Sequence, residues 1–160
     1  MKWSYPIPCL DRAQGYLDLG LLDDAWSQLA FLSAEQRDSP EALHIMATLL
    51  MKQKRWDEAL IVSFRICELL PSKSGGFIHA AYCLHELGRT REACEILRSG
   101  PDCLQREPLF HYNLSCYSVS LGSFDEACAS LERSFELDER LAGIAEHDPD
   151  LVPLWATLRC

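Results

Sequence analysis

No stretch of the chain approaches the roughly 18 consecutive apolar residues that a membrane-spanning helix needs. Its start, Met1-Lys2-Trp3-Ser4-Tyr5-Pro6-Ile7-Pro8, holds no apolar run of signal-peptide length before Asp11 and Arg12 arrive. The expectation is a cytoplasmic protein with no membrane partner. Clusters of lysine and arginine are also missing: 24 acids stand against 15 bases, for a formal net charge of -9. A surface that grips phosphates needs a basic stripe, so nucleic acid is excluded as an expected partner, and basic or apolar protein segments suit the chain better. The cysteines at 9, 67, 83, 94, 103, 116, 128 and 160 form no C-x-x-C pair. In a reducing compartment they are expected to be free, small and buried.

What the chain does have is a period. Ala25, Ala59, Ala93 and Ala127 stand 34 residues apart, and Gly20, Gly88 and Gly122 keep the same register, with Lys54 in the remaining glycine's place. A fixed spacing in this range signals stacked supersecondary units. Dividing the chain on the alanine gives blocks 6–39, 40–73, 74–107 and 108–139, followed by a tail over 140–160. Each block reads as two amphipathic helices joined by a tight turn. In the second, Leu43, Met46, Ala47 and Leu50 mark one apolar stripe, and Trp56, Ala59, Leu60, Ser63 and Ile66 mark the next. Ser39-Pro40 supplies an N-cap and a proline at the first helical position. The first block's second helix is expected to fray into a polar connector over Ser33 to Asp38. Ser99-Gly100-Pro101 cuts the third block short, with a loose link to Arg106. Ser123-Phe124-Asp125-Glu126 reads as a capping box. The pairs Asp23-Asp24, Asp57-Glu58 and Asp125-Glu126 each fall in a first helical turn, where they complement the helix dipole rather than form a catalytic pair.

These blocks resemble tetratricopeptide repeats over about residues 6 to 139. The residues that carry the likeness are the small one in each first helix (Ala13, Ala47, Ala81, Ser115), the turn glycines, the bulky residue after them (Leu22, Trp56, Phe124), the recurring alanine, and Pro71. The resemblance implies an all-α fold, a right-handed solenoid of four helix-turn-helix units. The tail, with Leu151, Leu154, Trp155 and Leu158 on one stripe, is then the helical cap that covers the last unit's apolar face. Trp155 is the expected anchor of that cap.

The family geometry places the first helix of each pair along a concave groove, where a peptide or protein segment with apolar anchors would bind and where no catalysis is implied. The groove positions are Asp11, Gln14 and Asp18, then His44, Thr48 and Met51, then Ile78, Tyr82 and His85, then Tyr112, Asn113 and Cys116. Of these, His44, Thr48, Ile78, Tyr82, His85, Tyr112 and Asn113 form the candidate peptide site. The basic clamp that one subfamily uses for acidic C-terminal tails has no counterpart, since its positions hold residues such as Leu10, Gln14, Ile45, Gly75 and His79. His79, Cys83 and His85 are the nearest approach to a metal set, but nothing in their spacing makes them converge. No cofactor is expected, and no serine or cysteine has an identifiable base. Size and acidity also resemble the small bacterial type III secretion chaperones that hold translocator segments, most closely over Phe77 to Leu84. That is the alternative binding role. Self-association through the groove or the first helix is left open.

Overall fold

The computed structural model describes residues 8–158 of the chain. The start of the first block at Pro6, the last residues of the tail and Cys160 lie outside the described residues. Within them the chain is helical and contains no strand. Four helix pairs follow one another: α1 (Pro8–Asp18) with α2 (Leu22–Leu29), α4 (Pro40–Lys52) with α5 (Trp56–Leu69), α6 (Gly75–Glu86) with α7 (Thr90–Ser99), and α8 (Pro108–Ser120) with α9 (Phe124–Leu137). A short α3 (Ala34–Arg37) links the first two pairs, and a 3-10 turn over Asp102–Arg106 links the last two. The tail forms α10 (Leu141–Ala145), a second 3-10 turn over Pro149–Leu151, and α11 (Val152–Leu158). Each helix packs on the other member of its pair. The first helices also touch in series, α1 on α4, α4 on α6 and α6 on α8, so they share one wall of the solenoid.

The turn between the two helices of each pair is the same every time. The N–H of Gly20 donates to the Leu17 carbonyl at 3.0 Å and that of Leu21 to Tyr16 at 2.8 Å, and the same two bonds recur at Lys54-Arg55, Gly88-Arg89 and Gly122-Ser123. This is the Schellman arrangement, in which the residue after the helix must take a left-handed conformation. Gly20, Gly88 and Gly122 take it with φ of 75°, 76° and 79°, and Lys54 takes it with φ 58°, alone in this among the described non-glycine residues. A lysine side chain there costs about 1 kcal/mol relative to glycine.

Small residues set the closeness of packing. Ala13, Ala47, Ala81 and Ser115 on the first helices, and Ala25, Ala59, Ala93 and Ala127 on the second, are all without exposed surface. Ser115 satisfies its hydroxyl by donating to the Ala127 carbonyl at 2.9 Å, so its burial leaves no orphan polar atom.

Three local expectations are corrected. Ser33 to Asp38 is not a frayed connector: the Ser33 hydroxyl accepts from Gln36 N and the Gln36 side chain accepts from Ser33 N, a reciprocal capping box that starts α3. Ser123, where a capping box was expected, makes no side-chain cap, because its backbone (φ -94°, ψ 69°) is committed to closing the preceding Schellman turn. The link to Arg106 is not loose either; it coils into a 3-10 turn that buries Leu104.

The tail's anchors also differ from expectation. Leu151 and Leu154 are 0% and 1% exposed, whereas Trp155 is only half-buried and uses its indole N–H to reach the Ala145 carbonyl at 3.0 Å. An indole with a polar edge settles at the rim of a contact, while aliphatic side chains with nothing to solvate fill the middle.

Candidate functional site: a groove open at one end and filled at the other

The wall made by α4, α6 and α8 holds a cavity of about 410 Å³. Its floor is apolar, from Met51, Ile78, Tyr82 and Leu109, and its polar lining comes from Thr48, Lys52, His79 and Asn113. Tyr82, 38% exposed, stands with its ring edge-on to Trp56 at 5.7 Å between centroids, which holds an aromatic face toward solvent. Thr48 donates its hydroxyl to the His44 carbonyl at 2.9 Å, so it offers mainly its methyl and its oxygen lone pairs. The Lys52 ammonium and the Asn113 amide make no hydrogen bond or ion pair with other described residues, and Lys52 is the sole charged residue in the lining.

His79, in the lining of this cavity, forms a pair with His44 behind it. Their rings meet edge to face at 5.5 Å. His44 has room there because residue 75 is glycine: a Cβ at Gly75 would lie 2.7 Å from the His44 ring. Burial, and then the proximity of His44, push the His79 imidazole down to about 4, and its Nδ1 is buried without a partner. Burial lowers His44 too, against a smaller opposing pull from Glu41. Both rings are therefore neutral at pH 7.

Farther along α6 and α8 the groove is occupied by the chain itself. Tyr112 donates its hydroxyl to Asp148 Oδ2 at 2.6 Å, Asp148 Oδ1 accepts from Asp150 N at 2.9 Å, and Asp150 Oδ2 stands 3.4 Å from His85 Nε2. His85 also contacts Thr90 Oγ1 through Nδ1 at 3.0 Å and stacks at a tilt on Tyr117. Cys116 lies beneath the same segment, 4% exposed, with its sulfur within 4.8 Å of a carboxylate oxygen of each aspartate. Burial and those carboxylates hold its thiol well above the usual range. Tyr112 is raised in the same way, by burial and then by its bond to Asp148.

Of the seven expected site residues, the fold gathers Thr48, Ile78, Tyr82 and Asn113 around the open cavity. His44 sits behind it, and His85 and Tyr112 lie under Asp148–Asp150. The α1 positions Asp11, Gln14 and Asp18 are exposed, and Gln14 donates to Asp18 at 2.7 Å. His79, Lys52 and Leu109 were missed as cavity residues. The family spacing picks one position per turn, whereas a cavity between three helices also takes the flanking positions. The set His79, Cys83 and His85 is not brought together. Cys83 is buried in the core, with its thiol pushed up to about 11 by desolvation. The group that does converge among the described residues is Cys116, Asp148 and Asp150. Both aspartates there already have hydrogen-bond or ionic partners within the chain.

Residues 110–140 match the tetratricopeptide repeat family model. No curated protein sequence matches the chain significantly. Among solved structures the chain is similar to TTC0263, described as a thermophilic TPR protein in Thermus thermophilus, at 19% identity and TM-score 0.71, covering 99% of this chain and 84% of that one. It is also similar to MamA, at 18% identity and TM-score 0.70 over 84% of this chain and 79% of that one, and to a MamA RS-1 double mutant, at 16% identity and TM-score 0.71 over 87% and 78%. The stacked helix pairs are thus the fold of the tetratricopeptide repeat proteins, and residues 110–140 match that repeat in sequence.

Proposed function

We propose that the chain is an interaction scaffold that binds a segment of another protein in the concave groove, over the cavity between α4, α6 and α8. The observation that carries this reading is the combination in one place of a partly exposed apolar floor (Met51, Ile78, Tyr82, Leu109) with two polar side chains left without partners among the described residues, Lys52 and Asn113. Apolar surface of this kind gains by burial against a partner side chain, about 25 cal/mol for each Å² removed from water. An amide such as Asn113 can donate and accept at once, which suits the backbone of an extended peptide. Lys52 favours a carboxylate beside the apolar anchor over the basic residue that net charge alone suggested. The likeness of fold to other repeat scaffolds is consistent with a binding role, and nothing around the cavity assembles a nucleophile with a base.

The test is capture from native extract by the wild-type chain and by a variant with Ile78→Ala, Tyr82→Ala and Asn113→Ala, with circular dichroism melting of both. The expected result is a partner retained by wild type and lost by the still-folded variant. Equal retention by both would move binding away from the groove.

A further inference from the structure

The part of the groove beyond the open cavity is covered by four residues of the chain's own tail, Asp148-Pro149-Asp150-Leu151. Their hold on it is of two kinds. Leu151 supplies an apolar plug without exposed surface. Around it, the polar contacts are few and lie at the edge: the Tyr112 hydroxyl on Asp148 and His85 on Asp150. Pro149 and Asp150 touch solvent, and Pro149 has no backbone N–H to tie down. The elements flanking the segment, α10 and α11, are five and seven residues long, too short to be stable helices by themselves. By contrast, α8 beneath it is packed on α9, α6 and α7. The segment is therefore the part of this region that can open while the helix pairs stay formed.

Resting on the reading of the groove as the binding surface, we propose that Asp148–Leu151 is a lid filling a second subsite in cis, and that a partner running past the open cavity gains His85, Tyr112 and the Leu151 socket only when the lid lifts. What the lid presents defines the chemistry such a partner would offer: a carboxylate acceptor for the Tyr112 hydroxyl and a leucine-sized side chain close behind it. The open cavity, with Lys52 and its apolar floor, takes the same combination. One continuous acidic and apolar segment would then satisfy both parts of the groove.

Cys116 reports on the lid without any knowledge of the partner. Its sulfur lies under the segment, whereas Cys83 and Cys94 are buried in the core. The full chain is labelled with a small maleimide for increasing times, and each cysteine is followed by peptide mass spectrometry in wild type and in Tyr112→Phe. That substitution removes one hydrogen bond to the lid and keeps both carboxylates, so the charge around Cys116 is unchanged. The expected result is Cys116 labelling about ten-fold faster in Tyr112→Phe, as the loss of one hydrogen bond to a carboxylate implies, with Cys83 and Cys94 unchanged. An equal rise at all three cysteines, or none at Cys116, would overturn the proposal, because the segment would then open only as the fold opens. Failure of partner capture would count against the groove reading and leave this labelling result untouched.

Discussion

The open and covered parts of the groove are built from equivalent helix faces and end in opposite states. In the open part, Ile78, Tyr82 and Asn113 line a cavity and keep part of their surface open to solvent. In the covered part, Tyr112 and Cys116 stand at the same kind of position, yet are buried at 7% and 4% exposure because the chain returns over them. A residue's place in the repeat fixes the direction in which its side chain points. What it meets there depends on a segment outside the repeat.

The largest expected effect separates the two parts by stability. Leu151→Ala removes a fully buried aliphatic side chain and is expected to cost about 3–4 kcal/mol, while Asn113→Ala in the open part is expected to stay within about 0.5 kcal/mol of wild type. Urea denaturation midpoints check both, and equal midpoints for the two variants would erase the contrast.

A second effect comes from the histidine pair at the open cavity, His79 in its lining and His44 behind it. His79 titrates at about 4 when folded and near 6.5 when unfolded. Between those values the unfolded chain binds the extra proton, so the sign is a loss of stability as pH falls from about 6.5 towards 4, with full stability retained above that window. The size is at most about 3.4 kcal/mol. Melting midpoints of wild type should fall over this range more steeply than those of His79→Gln; parallel curves would mean that His79 does not carry the dependence.

Smaller again is Tyr112→Phe, expected to cost about 1.5 kcal/mol through the lost bond to the Asp148 carboxylate, as read from the same urea curves. Smaller in stability than Tyr112→Phe is Tyr82→Ala, since Tyr82 is partly exposed. Its expected cost is about 1 kcal/mol or less, from the lost contact with Trp56, but it should weaken partner capture clearly. Tyr82→Ala that destabilises as much as Leu151→Ala would place Tyr82 among the core residues and remove it from the binding surface.

The helix pairs were legible because their determinants are local and periodic. The alanines of the 34-residue register are the buried close contacts, and the turn glycines take the left-handed conformation their position demands, with Lys54 forced into it by the Schellman bonds of its neighbours. The cavity residues Thr48, Ile78, Tyr82 and Asn113 are among the positions that the family resemblance points to. The covering of Tyr112 does not, because Asp148-Pro149-Asp150-Leu151 obeys no repeat and its contacts with α8 and α6 span long separations in sequence. Trp155 drew attention as the largest apolar residue of the tail, yet its indole N–H kept it at the edge while Leu151 and Leu154 took the interior. Ser123 had a cap's sequence but not its backbone, because the preceding turn had already fixed its dihedral angles.

The central claim, that the groove rather than the outer surface is where a partner is held, is tested most directly by site-specific photo-crosslinking in the native cell. A photoreactive phenylalanine analogue is placed at Tyr82 in the open cavity in one chain, and at Ile61, 70% exposed on the second helix α5, in another. The predicted result is a discrete crosslinked protein from position 82 and none from position 61. A crosslink from position 61 with none from position 82 would contradict it.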